Sequence, residues 1–268
     1  GAFCRHLIGL FKSSFRSERH YLKLIIHRVY KSFKNYRKMI REAINVELLT
    51  FVHETREHDG VKDLLSLYEC IIGGLSSPLE ECHHTFFKNV LLPLHKPSCF
   101  HQYSKQILSC IKLYLIKDPS AITDTLRYLV KVWPWRSISK QILFIDELEA
   151  LWQLTSHDQF QRAQRDICKL LSRLLSSSHH QVVERTMFIW NNDILRERGY
   201  IREEYADVIL PYVHPWLSKH SKEHFNPEIA YMAKCLLDYY EQVAPAVVRT
   251  CGADERTEIV VVVRNNIV

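Results

Sequence analysis

The sequence predicts an all-α protein, a curved α-solenoid of paired helices, and three observations carry that reading. Apolar residues recur at steps of three and four nearly throughout the chain. Glycine occurs only seven times in 268 residues, where average usage of about 7% would give roughly nineteen, so folds rich in tight turns and hairpins are poorly supplied. The breaks between apolar stretches are short and carry Pro, Gly or Ser. With 47% hydrophobic and 25% charged residues, the chain has the material for a packed core, which excludes wholesale disorder.

Taken in order, helical sequence starts almost at residue 1. Tyr21, Leu22, Ile25, Ile26, Val29, Tyr30 and Phe33 then place one wide apolar stripe on a helix, and Met39, Ile40, Ile44, Leu48, Phe51 and Val52 repeat the pattern. Further helices are expected at about 60–74, 79–92, 100–117, 120–133, 139–155, 158–175, 179–198, 203–219 and 227–243. They are separated at Asp59-Gly60, Ser77-Pro78, Pro93, Lys96-Pro97, Asp118-Pro119, Pro134, Ser176-Ser177-Ser178 and Asn226-Pro227. At Asp118-Pro119 a capping side chain precedes a proline whose missing N–H the helix could not have bonded anyway. Antiparallel helix pairs repeating about every 40 residues match the period of HEAT-like or armadillo-type repeats, with a compact irregular bundle as the alternative. The solenoid is expected over residues 1–250. Residues 251–268 are a tail: Cys251-Gly252-Ala253-Asp254 reads as loop, and Glu258-Ile259-Val260-Val261-Val262-Val263-Arg264 as a short strand or a disordered segment.

The net charge of +6 is uneven, because residues 1–50 hold eleven Lys and Arg against three Glu, leaving a slightly acidic remainder. Such a focused basic segment favours an acidic partner, whether phosphate, acidic peptide or nucleic acid. Eight cysteines, at 4, 70, 82, 99, 110, 168, 235 and 251, contain no C-x-x-C pair and read as reduced, mostly buried thiols. No stretch reaches about eighteen uninterrupted apolar residues and the N-terminus lacks signal-peptide order, so a cytoplasmic or nuclear location and no membrane partner are expected. A first residue that is Gly rather than Met suggests a piece of a longer protein.

Enzyme signatures are mostly missing. The chain has no G-x-G-x-x-G, G-x-x-x-x-G-K-[ST] or G-x-S-x-G, so dinucleotide, P-loop and α/β-hydrolase chemistry have no local support. In His53-Glu54-Thr55-Arg56-Glu57-His58 the histidines are five apart, about 140° around a helix, which is the wrong spacing for a shared metal. His220-Ser221-Lys222-Glu223-His224 does have the H-x-x-E-H spacing of inverse zincins, but it reads as a solvated connection between helices. The doublets His83-His84 and His179-His180 read as surface or capping groups. No cysteine is singled out as a nucleophile. No catalytic residue, cofactor or metal is assigned, and an enzyme using His220, His224 or a cysteine is the minor reading.

A resemblance narrows this. Glu18-Arg19-His20-Tyr21-Leu22-Lys23, Leu24-Ile25-Ile26-His27-Arg28-Val29-Tyr30 and Tyr36-Arg37-Lys38-Met39-Ile40-Arg41 resemble the B-prime (fifty-six-kilodalton) regulatory subunits of protein phosphatase type 2A. The likeness continues through Glu54-Thr55, Gly60, Ile71-Ile72-Gly73-Gly74, Pro78-Leu79, Leu91-Leu92-Pro93-Leu94-His95, Lys117-Asp118 and Trp133-Pro134. It runs on through Asp146-Glu147-Leu148-Glu149, Gln181-Val182-Val183-Glu184-Arg185, Trp190-Asn191-Asn192, Ile209-Leu210-Pro211 and Ser221-Lys222-Glu223-His224-Phe225-Asn226, covering about residues 7–240. Family members are longer at the N-terminus, so the resemblance is to their central and C-terminal repeats.

The resemblance implies HEAT-like helix pairs without catalysis of their own, docking on the phosphatase scaffold subunit and the phosphatase catalytic subunit. It implies substrate selection by a groove for Leu-x-x-Ile-x-Glu peptides. The peptide-binding residues carried over are His27, Arg28, Tyr30, Arg37, Ile71 and His83, with Leu67 where an isoleucine is usual. Leu67 and Ile71, four apart on one helix, could line an apolar pocket with Tyr30. Arg37 could hold the motif's glutamate, and His27 with Arg28 could meet a phosphate or carboxylate. On pattern alone, Tyr30, Leu67 and Ile71 read as core residues and the arginines as a solvated face; the resemblance is what favours the groove. Three departures stand out: Glu80 where a lysine is usual, Lys12-Ser13-Ser14-Phe15-Arg16 where an acidic stretch is usual, and a tail from about 244 with no counterpart. The alternative is a helical-repeat scaffold that binds nucleic acid or another acidic partner through residues 1–50; nucleic acid is not the expected partner under the resemblance.

Overall fold

The computed structural model describes residues 2–55 and 57–253. The chain divides between Ala121 and Ile122 into two compact units. The first holds α1 (Ala2–Gly9), α2 (Arg16–Ser32), α3 (Arg37–Thr50), α4 (Val61–Gly73), α5 (Glu81–Phe86) and α6 (Ser104–Lys117). The second holds α7 (Ile122–Lys131), α8 (Ile138–Trp152), α9 (His157–Leu175), α10 (His180–Met187), α11 (Asp193–Glu197), α12 (Ala206–Glu223) and α13 (Pro227–Val243). No strand occurs among the described residues.

In both units helices pack in rows on their alternating neighbours. In the second unit α7, α9 and α12 form one row and α8, α10 and α13 the other, cross-packed as α7·α8, α9·α10 and α12·α13. In the first unit α2, α4 and α6 form a row, α1 packs on α3, and α3 meets the π-helical turn Phe87–Leu91 that continues α5. This is the stacking of a helix-pair repeat, in which each pair buries its apolar face on its neighbours.

The apolar periodicity explains the rows. In α4, Val61, Leu64, Leu65, Leu67, Tyr68, Ile71 and Ile72 are buried, a stripe wide enough to be covered on two sides. Gly60 caps its N-terminus where a Cβ would lie 2.2 Å from the Phe11 carbonyl oxygen, so only glycine fits that approach. In the second unit α9 begins with a capping box, Ser156 Oγ accepting from Gln159 N while the Gln159 side chain accepts from Ser156 N. Asn226 caps α13 through Glu228 N, with Pro227 in the first turn. Asp118 Oδ1 accepts from Ser120 N at 3.2 Å, the cap expected before Pro119. A buried chain of bonds ties the second unit together: Trp190 Nε1 donates to Tyr240 Oη at 2.8 Å, and that hydroxyl donates to the Ile201 carbonyl at 3.2 Å.

Several expected features differ. The stripe on α2 is only partly covered: Leu22 and Ile26 are buried, whereas Tyr21, Ile25 and Phe33 are exposed. The helix expected at 79–92 is α5, the π-turn Phe87–Leu91 and the 3-10 turn Leu92–His95, where Pro93 supplies no N–H to an α-helical ladder. The helix expected at 179–198 breaks at Asn192, whose extended backbone starts α11 and whose side chain accepts from Leu195 N. Cys251, Gly252 and Ala253 are not loop but part of a helix that includes 245–253. The valine run lies outside the described residues. The thiols are not mostly buried: Cys70, Cys82 and Cys235 are exposed and Cys99 is half-buried.

Candidate functional site

Of the carried-over residues, Tyr30 and Arg37 meet at the junction of α2 and α3. There a 3-10 turn, Lys34–Tyr36, reverses the chain and brings the start of α3 back against the end of α2. Arg37 Nε donates to the Tyr30 carbonyl at 2.9 Å and Nη2 to the Lys31 carbonyl at 3.3 Å. These carbonyls belong to the last turn of α2, where a cation is favoured and backbone acceptors lack helical partners. The guanidinium carbon lies 5.3 Å from the centroid of the Tyr30 ring, a cation–π contact. Two of its five N–H groups are thus spent on holding the side chain in place, and three remain.

One turn further along α3, Arg41 donates through Nη1 to Tyr30 Oη at 3.1 Å. It is the centre of a cluster that sequence reasoning misses. Burial lowers its pKa, but the Tyr30 bond and the nearby Tyr68 and Cys82 outweigh that and raise it. Tyr68, buried on α4, stacks on Phe86 with centroids 4.0 Å apart. Burial pushes its hydroxyl well above the usual phenol range, opposed by Arg41. His83, buried on α5, is held below the usual imidazole range by burial first and by Arg41 second. The spacing Arg37–Arg41, four apart on one helix face, is the signal that could have found it.

The remaining residues fall into two groups. His27 and Arg28 are exposed on α2 and make no hydrogen bond or ion pair among the described residues, so both are free to meet a charged ligand. Leu67 and Ile71 are 1% and 2% exposed. In this structure they are core residues of α4 and do not themselves open an apolar pocket. Glu80, exposed at the N-cap of α5, accepts from Cys82 Sγ at 3.4 Å.

Part of the basic excess of residues 1–50 is neutralised internally. Arg19 Nε reaches Asp63 at 2.9 Å, Lys23 lies 4.0 Å from the same carboxylate, and Lys12 pairs with Glu47 at 2.9 Å. Asp63 and Glu47 thereby draw three of the eleven cations toward the protein's own surface.

The histidine motifs also resolve. His220 lies inside α12, not in a solvated connection: its ring is buried and Nε2 meets the Leu175 carbonyl at 2.6 Å. Burial lowers its pKa, opposed by that bond. His224 follows the helix end and accepts from Asn226 N at 3.0 Å. His53 is exposed, while His58 accepts from Gly60 N at 3.0 Å and faces Glu47 at 3.7 Å. His84 bonds Tyr114 Oη at 2.6 Å, and His179 and His180 start α10 exposed.

In the second unit the stretches Asp146–Glu149, Gln181–Arg185 and Trp190–Asn192 come together. Arg185 pairs with Asp146 at 2.6 Å and with Glu149 at 2.5 Å, and Asn192 Nδ2 donates to Glu149 at 2.5 Å. Glu149, Arg185 and Asn192 line an open cavity of about 550 Å³ with Phe188, Asn191, Asp193 and Ile194. This network pins α10 to α8 and fixes the break before α11, a structural role for residues the resemblance rests on.

Helix pairs stacked in rows, with a preorganised arginine–tyrosine cluster on one unit, define the class as a helical-repeat protein. The family model described as protein phosphatase 2A regulatory B subunit (B56 family) matches residues 1–260. The chain belongs to the B56 family. It is similar to the 59 kDa B′-gamma regulatory isoform of serine/threonine protein phosphatase 2A from Arabidopsis thaliana, at 38% identity over 228 residues, 85% of this chain and 43% of that protein. It is likewise similar to the human 56 kDa regulatory subunit alpha isoform, at 36% identity over 227 residues, 85% of this chain and 46% of that protein. Both are named regulatory, not catalytic, subunits. The chain spans about half the length of the curated relatives it matches. A computationally designed armadillo repeat protein for modular peptide recognition superposes at TM-score 0.41 and 17% identity, over 88% of this chain and 99% of that one, too loose a match to bear on the fold. No described helix is long and apolar enough to cross a membrane.

Proposed function

We propose that the chain is a targeting subunit of a type 2A serine/threonine phosphatase, docking on the scaffold and catalytic subunits and holding substrates by Leu-x-x-Ile-x-Glu segments. The observation that carries the peptide half is Arg37. Its guanidinium is fixed by two backbone carbonyls and a ring, with N–H groups left over, and His27 and Arg28 are exposed on α2. A fixed arginine loses little entropy on taking up a carboxylate, which suits it to the motif's glutamate. Arg41 orients the Tyr30 hydroxyl, leaving the ring to face the peptide's apolar side chains. Leu67 and Ile71 are buried in α4 and enter this reading only as the core that holds α4 in place.

The two halves are tested separately. Purified chain is mixed with phosphatase scaffold and catalytic subunits, and co-elution in size exclusion is the expected result; independent elution overturns the docking half. A fluorescein-labelled Leu-x-x-Ile-x-Glu peptide is expected to bind, and its scrambled control to fail. Equal binding of the two removes the motif from the reading.

A further inference from the structure

We propose that Glu80, Cys82 and His83 form a binding site for a thiophilic divalent cation of the zinc class at the start of α5. Among the described residues, these three bring a carboxylate oxygen, a thiol sulfur and an imidazole nitrogen within 4.8 Å of one another. The extended backbone at Glu80, with φ −74° and ψ 154°, places its side chain beside the first turn of the helix. Cys82 Sγ already lies 3.4 Å from Glu80 Oε2. In a tetrahedral complex with zinc–sulfur and zinc–oxygen bonds of ordinary length, sulfur and oxygen are about 3.6 Å apart. Glu80 and Cys82 therefore stand at coordination spacing, and the His83 ring has at most about 1.5 Å to close.

The donor set selects the ion. Thiolate and imidazole favour zinc-class metals over magnesium and calcium, which take oxygen. Burial and Arg41 keep His83 in the neutral form that ligates. His84 next door does not compete, since its Nδ1 is engaged by the Tyr114 hydroxyl at 2.6 Å. On binding, the Cys82 S–H bond breaks, the sulfur bonds the metal and the proton leaves to solvent. Because that proton has to be displaced, affinity rises with pH. Arg41 is the charge that opposes the ion, and Glu80 offsets it. Three protein ligands leave a fourth position for water or an incoming ligand.

The test uses the full chain, reduced with a phosphine that does not bind metals, and titrated with cobalt(II) and then zinc. One equivalent of cobalt is expected to give a thiolate-to-metal charge-transfer band that one equivalent of zinc removes. Cys82→Ser abolishes the band and weakens zinc at least about tenfold, and Glu80→Gln weakens it in the same direction. Cys70→Ser and Cys235→Ser, at the other exposed thiols, leave band and affinity unchanged. Glu80 and Cys82 are exposed, so both variants should keep the parent circular dichroism spectrum. A missing band at one equivalent, or a band that survives in Cys82→Ser, overturns the site.

Discussion

Truncating Arg37 separates a binding role from a structural one. In Arg37→Ala the Tyr30 and Lys31 carbonyls lose their guanidinium donors. Both lie at an open helix end where water can replace those donors, so the stability loss should not exceed about 1.5 kcal/mol, the upper end for one net hydrogen bond. The proposed peptide contact is different in kind. A charge-assisted bond between guanidinium and glutamate is worth about 1.5–3 kcal/mol, which is about 13-fold to 150-fold in Kd. Arg37→Lys keeps the charge but cannot serve the carbonyls and the carboxylate at once, so it should fall between parent and alanine variant. Fluorescence anisotropy gives the affinity and urea unfolding followed by circular dichroism gives the stability. The decisive measurement is a double-mutant cycle pairing Arg37→Ala with a peptide whose glutamate is glutamine. A coupling of at least about 1 kcal/mol is expected. Independent effects, or an alanine variant within twofold of the parent, would refute the assignment and leave Arg37 as a helix cap.

Three further outcomes follow from the described contacts. Tyr240→Phe removes the buried hydroxyl between Trp190 Nε1 and the Ile201 carbonyl; it should cost about 1–3 kcal/mol, read as a lower urea midpoint at unchanged slope. His58, His83 and His220 all have pKa values lowered chiefly by burial. The unfolded chain therefore takes up protons at those positions before the folded one does, and stability should fall as pH drops below about 6.5; thermal melts between pH 7.5 and 5 check this, and His220→Gln should flatten the slope. Glu80 should make acidic residues placed after the peptide motif unhelpful, whereas Glu80→Lys should let them tighten binding, most at low salt; tightening in the unmutated chain would show that Glu80 does not face the peptide.

The helices are legible in the sequence because a 3.6-residue period needs no knowledge of the partner. In α4 the positions from Val61 to Ile72 that the period picks out are the ones that are buried. Burial itself is less legible. Tyr21, Ile25 and Phe33 share the α2 stripe with Leu22 and Ile26 but are exposed, since coverage depends on what packs there. The break at Asn192 is hidden by apolar spacing on both sides, although Asn followed by Asp is a capping signal. The π-turns at Phe51–Thr55 and Phe87–Leu91 have no local signature of this kind. His220 is misplaced by composition because Ser, Lys and His there have the character of a turn, while the bond to Leu175, 45 residues away, is invisible in one dimension. At the candidate site the resemblance supplies Arg37 and Tyr30. Arg41 and Tyr68 have to be seen in space, as does the convergence of Glu80, Cys82 and His83.

The two rows of the second unit have a kinetic consequence. Apart from the short α11, each helix there packs on its partner and on its neighbours in the row, so the loops that must close during folding stay short even though the chain is long. Short closures cost little entropy and favour rapid collapse. Any one pair could nucleate and recruit its neighbours in either direction. Within this unit the pair α9·α10 is packed by helices of both neighbouring pairs, so amide exchange should reach α9 and α10 last.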